Sequence, residues 1–258
     1  HYRSQDESLI AFSNLHYYEG RLSSFPAPGL GVGGGHSDRG LSLVRVGGVF
    51  ERSGKGKTLR TNRKEAEAIV EEIRRRFEAS PEAVPSIGVV TFNQQQRAFI
   101  EALIRDGGDT RIIEALDSTQ EEGLFIKNLE NVQGDERDVI LFSTAFSVNA
   151  NGVLPLNFGP LSLEGGERRL NVAITRARRQ VVLFTSFEPS QLRAEETKNV
   201  GVKHLRAYLE MADVGARALE SARLRRRDRD LHREDIADAL KERGFVVETD
   251  VGLSDFRV

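Results

Sequence analysis

Residues 167–186 read ERRLNVAITRARRQVVLFTS, a helix pattern that runs directly into a strand pattern. At helical pitch its apolar residues share one face, and polar residues lie on both flanks of that face, Arg169 with Arg176 on one and Asn171, Thr175 and Arg178 on the other. The run VVLF that follows is continuous, apolar and rich in strand-forming residues, which is typical of a strand buried on both faces. The stretch therefore predicts a helix, with Ala177 on its buried face, that leads directly into a central strand.

The arginines of this helix have two interpretations. In the first, they are solvated charges on the outer side of an amphipathic helix. In the second, they belong to a motif, because the order Asn, Ala, Thr, Arg, Ala, Arg ahead of a buried strand resembles the last motif of superfamily 1 helicases. That resemblance implies that Arg176, the first arginine of TRAR, reaches the γ-phosphate of a bound nucleotide.

Length and composition allow an ordinary globular protein. The 258 residues are 39% hydrophobic and 29% charged, which fits one sizeable α/β domain or one domain plus a fragment. Lys and Arg total 37 against 39 Asp and Glu, so net charge neither indicates nor excludes a nucleic-acid partner. The sequence has no cysteine, and its five histidines lack the spacing of metal ligands, so we predict no metal-binding residue.

The sequence also indicates where in the cell the protein is expected. No apolar run approaches the roughly 20 residues that span a bilayer. The opening HYRSQDE is unlike a signal peptide. We therefore expect a soluble, cytoplasmic protein with no membrane partner.

Helix and strand patterns alternate along residues 1–213. Helices are expected from about Gln5 to His16 and from about Arg63 to Phe77, with capping boxes at Ser4–Glu7 and Asn62–Glu65. Further helices are expected within 92–106, 111–118 and 201–214, and strands within 86–91, 124–128 and 137–146. LSLVRV and TLRTN are interpreted as a hairpin or extended pair. The alternation predicts an α/β fold with a mostly parallel sheet and helices on both faces.

A second motif lies upstream of the first. Residues 132–138, VQGDERD, resemble the FQGxExD pattern of the same helicases. Glycine lets a backbone approach a phosphate, and a carboxylate can accept a hydrogen bond from a ribose hydroxyl. A charged β-turn is the plainer interpretation, but its place upstream of TRAR favours a functional one. The resemblance implies that Gln133, Gly134 and Glu136 contact the nucleotide's phosphate and sugar side.

The first residues carry a third resemblance. Tyr2 and Arg3 precede a predicted helix that ends near Tyr18-Glu19-Gly20, as a Tyr-Arg pair does in helicases related to the nonsense-mediated-decay helicase. In that group the tyrosine stacks on adenine and the arginine contacts the γ-phosphate. The resemblance implies the same roles for Tyr2 and Arg3.

Three residues are assigned to nucleic acid by the same resemblance. Thr91 and Gln96 take the places of the first and last residues of the family's TPYxxQ motif, where Phe92 and Asn93 replace Pro and Tyr. Asn128 is assigned with them. The motif lies near the nucleic-acid backbone, so these residues are expected beside a bound strand.

The resemblance covers residues 1–213 and implies the second RecA-like lobe, of P-loop NTPase type, of a helicase that moves 5′ to 3′ on single strands. Neither a P-loop nor a magnesium-binding DExx motif is recognised in this chain. ATP and Mg²⁺ are therefore expected to be held mainly by a first RecA-like lobe of the same polypeptide, and this chain to be an inactive fragment by itself. The expected partner is single-stranded nucleic acid, DNA more than RNA.

Two alternatives remain open. The chain could be a non-catalytic RecA-like module that binds nucleic acid or a partner, or the positioning part of a nuclease. Residues 214–230 are expected to form a charged linker, and residues 231–258 resemble the truncated start of a PD-(D/E)XK domain similar to very-short-patch-repair endonucleases. Asp250 and Asp255 are the available carboxylates there.

Overall fold

The computed structural model describes residues 4, 6–22, 39–53, 56, 58–118, 122–214 and 231–247. Tyr2, Arg3, Asp250 and Asp255 lie outside these ranges, as do residues 215–230 of the expected linker. The roles assigned to them, and the division of the chain at 213 and 230, stay predictions.

Helices and strands alternate through most of the described ranges. In chain order they are α1 (Glu7–Tyr17), β1 (Gly40–Arg45), α2 (Arg63–Ala79), β2 (Ile87–Thr91), α3 (Gln94–Asp106), α4 (Thr110–Asp117), β3 (Phe125–Asn128), β4 (Arg137–Ser147), α5 (Gly166–Ile174), β5 (Ala177–Ser186), α6 (Val200–Val214) and α7 (Leu231–Glu242). Across these described segments, none of the helices has both the length and the apolar character that a bilayer crossing requires.

The five strands form one sheet in the order β1-β5-β4-β2-β3, and every neighbouring pair is parallel. Alternate residues of β5 enter two different hydrophobic clusters, Val181 on one face and Val182 on the other. The first cluster is completed by α1, α5 and α6, and the second by α2, α3 and α4. The predicted RecA-like α/β fold, a parallel sheet with helices on both faces, is confirmed.

The predicted helix over residues 167–178 was wrong at its carboxyl end. Helix α5 ends at Ile174, and strand β5 begins at Ala177. Two interactions explain the early end: the Thr175 hydroxyl hydrogen-bonds the α5 carbonyls, and the Arg137 amide donates to the Arg176 carbonyl at 3.1 Å. Ala177 and Arg178, which were predicted in the helix, therefore belong to the strand because of this sheet pairing.

Both predicted capping boxes differ from the structure. The N-cap of α1 is Asp6, whose carboxylate accepts from the Ser8 amide at 2.9 Å, and not Ser4. Asn62 does cap α2, because its side-chain oxygen accepts from the Glu65 amide at 3.2 Å. The Glu65 carboxylate, however, turns into the protein interior.

The predicted pairing of LSLVRV with TLRTN was also wrong. Strand β1 pairs in parallel with β5, with Gly40 opposite Gln180. Residues near TLRTN contribute only an isolated antiparallel bridge between Phe50 and Asn62. A place at the sheet edge packs Leu41 and Leu43, both partly buried, against the first cluster, which a solvent-exposed hairpin would not do.

Gly88 of β2 allows close packing across the sheet. A Cβ atom there would meet Phe125 Cε1 at 2.6 Å and Ile140 Cδ1 at 2.8 Å. We expect Gly88→Ala to lower the free energy of unfolding by roughly 1–3 kcal/mol, the usual cost of overpacking a core. Gly47→Ala is the matched control, because a Cβ atom there meets nothing within 4 Å. Urea denaturation measures both, and a Gly88→Ala variant as stable as the control would contradict this packing.

Candidate functional site

Two of the predicted motif groups meet at the amino ends of β4 and β5. Arg137 lies opposite Ala177 in the ladder, and its amide donates to the Arg176 carbonyl at 3.1 Å. The turn before β4, residues 132–136, is therefore the neighbour of the turn before β5, residues 175–176. We call these two turns the amino-end site; it contains Gln133, Gly134, Glu136 and Arg176.

The Arg176 side chain is oriented by the end of α5. Its Nε donates to the Val172 carbonyl at 2.8 Å and its Nη2 to the Thr175 hydroxyl at 3.2 Å. The carbonyl end of a helix carries partial negative charge and attracts cations. A planar guanidinium fixed in this way loses less conformational freedom when it contacts an oxyanion.

The turn before β4 is fixed on both of its sides. Lys127 of β3 forms an ion pair with Asp135 at 2.6 Å, and Arg137 donates to the Glu136 carbonyl at 2.7 Å. Gly134 has φ of 93°, a left-handed conformation that favours glycine, and a Cβ atom there would meet nothing within 4 Å. The backbone at Gly134 is therefore open to a ligand from outside.

Arg178, the second arginine of TRAR, is held in ion pairs with two carboxylates of the same chain. It binds both carboxylate oxygens of Glu122, at 2.8 and 2.6 Å, and its Nε donates to Asp138 at 2.8 Å. The hydrogen bonds from Arg178 lower the pKa of Glu122 to about 2. Arg178 thus braces the loop before β3 against the starts of β4 and β5. The Asn171 Oδ1 atom, on α5, is buried without a hydrogen-bond partner in the described part of the chain.

A cleft of about 780 Å³ opens beside the amino-end site. Gly134 and Glu136 line it, and Arg176 does not. Its charged walls are paired with each other, as in Arg105 with Asp117 at 2.6 Å. Because these charges already have partners, the cleft by itself does not define a nucleotide site.

The three residues assigned to nucleic acid lie at the opposite, carboxyl end of the sheet. Thr91 and Asn128 face each other in the β2–β3 ladder, and Gln96 lies in the first turn of α3. Thr91 and Gln96 have no exposed surface, so in this structure they support the sheet end from beneath. Asn128 is 7% exposed, and its Oδ1 atom has no hydrogen-bond partner within the described ranges. A contact with nucleic acid stays a prediction for all three.

Sequence reasoning missed the buried position of Glu65 in the same region. Its carboxylate is fully buried and accepts hydrogen bonds from the Ser143 hydroxyl, the Ala145 amide and the Ser186 hydroxyl, each at 2.8 Å. Burial raises its pKa to about 7. A signal was present, because Glu65 precedes Ile69 by one helical turn on the apolar face of α2.

Comparison with known proteins decides the family. Residues 1–188 match the model of the AAA domain family. The chain belongs to the AAA domain family. The matched residues include the whole amino-end site and the three residues at the carboxyl end of the sheet.

Two curated relatives of this AAA domain chain come from mycoplasmas. One is named "Uncharacterized ATP-dependent helicase MG140 homolog", from Mycoplasma pneumoniae, and the other "Uncharacterized ATP-dependent helicase MG140", from Mycoplasma genitalium. Each is 33% identical over 215 residues, which is 81% of this chain and 18% of the relative. The chain therefore spans less than a fifth of each relative's length.

One solved structure is also similar, the C-terminal domain of a possible DNA helicase from Lactobacillus plantarum WCFS1. It is 10% identical with a TM-score of 0.39, and the similarity covers 71% of this chain and 86% of that domain. A likeness this distant supports no conclusion about function.

The raised pKa of Glu65 makes stability depend on pH. A carboxyl group whose pKa is higher in the folded than in the unfolded protein stabilises the fold below its unfolded value, near 4.5, and this contribution is lost as pH rises to about 7. Relative to Glu65→Gln, the wild type should therefore lose about 1 kcal/mol of unfolding free energy per pH unit in that window. Urea unfolding at a series of pH values measures it.

The control is Glu71→Gln, a change to an exposed carboxylate on the same helix. It should keep the pH dependence of the wild type. If the difference between wild type and Glu65→Gln is the same at every pH, the buried carboxyl group does not titrate in this window.

Proposed function

We propose that this chain is the second motor lobe of an ATP-dependent superfamily 1 helicase or translocase, and that Arg176 contacts the γ-phosphate of ATP held by another lobe. The observation that carries the proposal is the shared position of Arg176 and the 132–136 turn at the amino ends of β4 and β5. The names of the two mycoplasma relatives support it. The matched region is 18% of each relative, which leaves ample length in them for a first lobe.

In this proposal Arg176 stabilises charge. Its guanidinium presents N–H groups in a plane that matches two phosphate oxygens, and α5 orients it before ATP binds. Charge on the transferred phosphoryl group spreads over its oxygens in the transition state, so a cation placed there accelerates hydrolysis. An arginine in this role is worth on the order of 10³ to 10⁵ in turnover.

The turn before β4 would hold the rest of the nucleotide. The open backbone at Gly134 would admit a close approach of a phosphate oxygen, and Gln133 and Glu136 flank it in the sequence. By resemblance, Tyr2 would stack on the base and Arg3 would be the second arginine at the γ-phosphate. These two roles complete the proposed nucleotide contacts of this lobe.

Mg²⁺ would neutralise phosphate charge when it is bound with ATP. Within the described ranges, no three His, Cys, Asp or Glu side chains are grouped so that they could hold a metal ion. By the resemblance to superfamily 1 helicases, we assign the ion to the first lobe and derive no step from it.

Single-stranded nucleic acid, DNA rather than RNA, is the proposed partner at the carboxyl end of the sheet. Contacts to phosphates position a strand without reading its sequence. Asn128 is the best placed of the three assigned residues, because its Oδ1 atom lacks a partner in the described part of the chain. Thr91 and Gln96 would act from beneath, since both are fully buried.

The alternatives differ in one property. A non-catalytic binding module, or a lobe that only positions a nuclease, would bind nucleic acid without coupling it to ATP hydrolysis. Strand-stimulated ATP turnover by the full-length protein therefore separates the motor from both.

This chain of 258 residues, studied alone, should show no measurable ATP turnover. The reason is that its sequence has no P-loop to hold the phosphates, and an arginine accelerates only a nucleotide that is already positioned. A phosphate-release assay on the pure chain is the measurement. Steady turnover that disappears in Arg176→Ala would contradict the division of labour between two lobes.

In the full-length protein, Arg176→Ala should reduce strand-stimulated turnover by roughly 10³-fold or more, with a smaller effect on ATP affinity. Arg176→Lys should restore little, because an ammonium group does not reproduce the planar fork. Arg3→Ala should resemble Arg176→Ala. Steady-state ATPase assays measure all three.

Arg178→Ala is the matched control, since Arg178 lies two residues away and braces Glu122 and Asp138. We expect it to lower the melting temperature slightly and to affect turnover less than Arg176→Ala. Near-normal turnover together with a normal thermal melt in Arg176→Ala would show that Arg176 is structural.

A further inference from the structure

A buried polar cluster centred on Glu65, a residue to which the proposed function assigns no role, lies under the carboxyl ends of β4 and β5. We call it the Glu65 cluster, and its members come from α2, α3, β4 and β5: Asn62, Glu65, Gln96, Ser143 and Ser186. Glu65, Asn62, Gln96 and Ser143 have no exposed surface. These four residues therefore cannot contact a ligand directly.

Every hydrogen bond of the cluster has a defined direction. Glu65 only accepts, at Oε2 from the Ser143 hydroxyl and at Oε1 from the Ser186 hydroxyl, both at 2.8 Å. Each hydroxyl in turn accepts from an amide, Ser143 from Gln96 Nε2 at 3.1 Å and Ser186 from Asn62 Nδ2 at 2.8 Å. A carboxylate, with two oxygens and no donor, suits the centre of such a ring.

The cluster closes through the backbone of α2. The backbone N–H of Asn62, the N-cap residue of α2, donates to Gln96 Oε1 at 2.7 Å. Gln96 Nε2 donates in return to the backbone carbonyl of Asn62 at 3.0 Å. Gly48 seals this side, because a Cβ atom there would meet Ser186 Oγ at 2.8 Å. The side chain of Gln96 is thus held at both ends.

Glu65 also holds an irregular part of β4. The Ala145 amide donates to Oε2 at 2.8 Å, and Ala145 has φ of 65°, which is uncommon for a residue other than glycine. The register between β4 and β5 is interrupted between Ser143 and Ser147 at this point. A conformation of this kind persists when surrounding contacts determine it, and the Glu65 carboxylate is one of them.

Some polar atoms without partners, within the described ranges, belong to residues next to Gln96 in the sequence or at the same end of the sheet. They are Asn93 Nδ2 at the N-cap of α3, Arg97 Nε in α3 and Asn128 Oδ1 at the end of β3. Asn93 caps α3 through the Gln96 amide, at 2.7 Å. The backbone of Gln96 is thus tied to the N-cap of α3, and its side chain is tied to Asn62 and Ser143.

We propose that Glu65 is a positioning residue for the nucleic-acid end of this lobe, acting through Ser143 on Gln96 and through the Ala145 amide on the end of β4. This inference builds on the proposed function. Glu65 neither contacts the strand nor takes part in ATP hydrolysis. It sets the affinity for the strand by fixing the first turn of α3 and the irregular segment of β4 in one arrangement.

The test measures ATP turnover of the full-length protein against the concentration of a 20-nucleotide oligo-dT strand. In Glu65→Gln an amide N–H₂ group faces hydroxyl and amide donors, so the ring of hydrogen bonds breaks. We expect the strand concentration for half-maximal turnover to rise about tenfold, a change of roughly 1.4 kcal/mol. Maximal turnover and the KM for ATP should change less than twofold.

Ile73→Ala is the matched control. It removes a fully buried side chain from the same helix, in the cluster on the α2 face of the sheet. Ile73 lies about two helical turns beyond Glu65 in α2 and, as an apolar residue, contributes no side-chain hydrogen bond to the Glu65 cluster. It should lower the melting temperature at least as much as Glu65→Gln and leave the half-maximal strand concentration unchanged. If both variants shift that concentration equally, the role of Glu65 is only structural.

Should Glu65→Gln not fold, Ser143→Ala carries the same expectation, because it removes the hydroxyl that joins Glu65 to Gln96. This inference alone is overturned if the strand stimulates the wild type and the half-maximal strand concentrations of Ser143→Ala and Glu65→Gln equal that of the wild type. A wild type whose turnover does not respond to any strand overturns the proposed function and this inference with it.

Discussion

The parallel pairing of β4 with β5 fixes both ends of the molecule at once. Because the two strands run in the same direction, Arg137 beside Ala177 places two turns together at the amino ends, and Ser147 beside Ser186 places two strand exits together at the carboxyl ends. A shift of this ladder by one residue would exchange the faces of every side chain on β5. The hydrophobic clusters on both faces oppose such a shift, since Val181 and Val182 belong to different ones.

Much of this fold could be predicted because its signals are local. The apolar run VVLF in β5 and the periodic apolar face of α2 each indicate their element without reference to the rest of the chain. The end of α5 could not be predicted in this way. Residues 177–178 are acceptable in a helix, and only pairing with Arg137, forty positions earlier, makes them a strand.

The candidate site shows the same limit. The motif residues Gln133, Gly134, Glu136 and Arg176 could be named from sequence, and the structure places them at one end of the sheet. The burial of Gln96 could not be foreseen, because its partners Asn62 and Ser143 are distant in sequence. Glu65 was overlooked because a capping role already accounted for an acidic residue in the first turn of a helix.

The two ends of the sheet shift the pKa of a carboxyl group in opposite directions. At the amino ends, Arg178 pairs with Glu122 near solvent and lowers its pKa. At the carboxyl ends, Glu65 is buried among neutral donors, and its pKa is raised. Salt screens exposed ion pairs far more than buried dipoles, so added salt should loosen the amino ends and leave the Glu65 surroundings almost unaffected.

The strand order has a consequence for how the chain folds during synthesis. Within the described residues, β1 lies at the edge of the sheet and pairs only with β5, with Gly40 opposite Gln180. β5 is the last of the described strands to leave the ribosome, and contacts this distant in sequence form slowly. Until residues 177–186 have been made, Leu41 and Leu43 have no neighbouring strand to hold them against the core. A nascent chain stalled before β5 would therefore expose them as a ready target for chaperones.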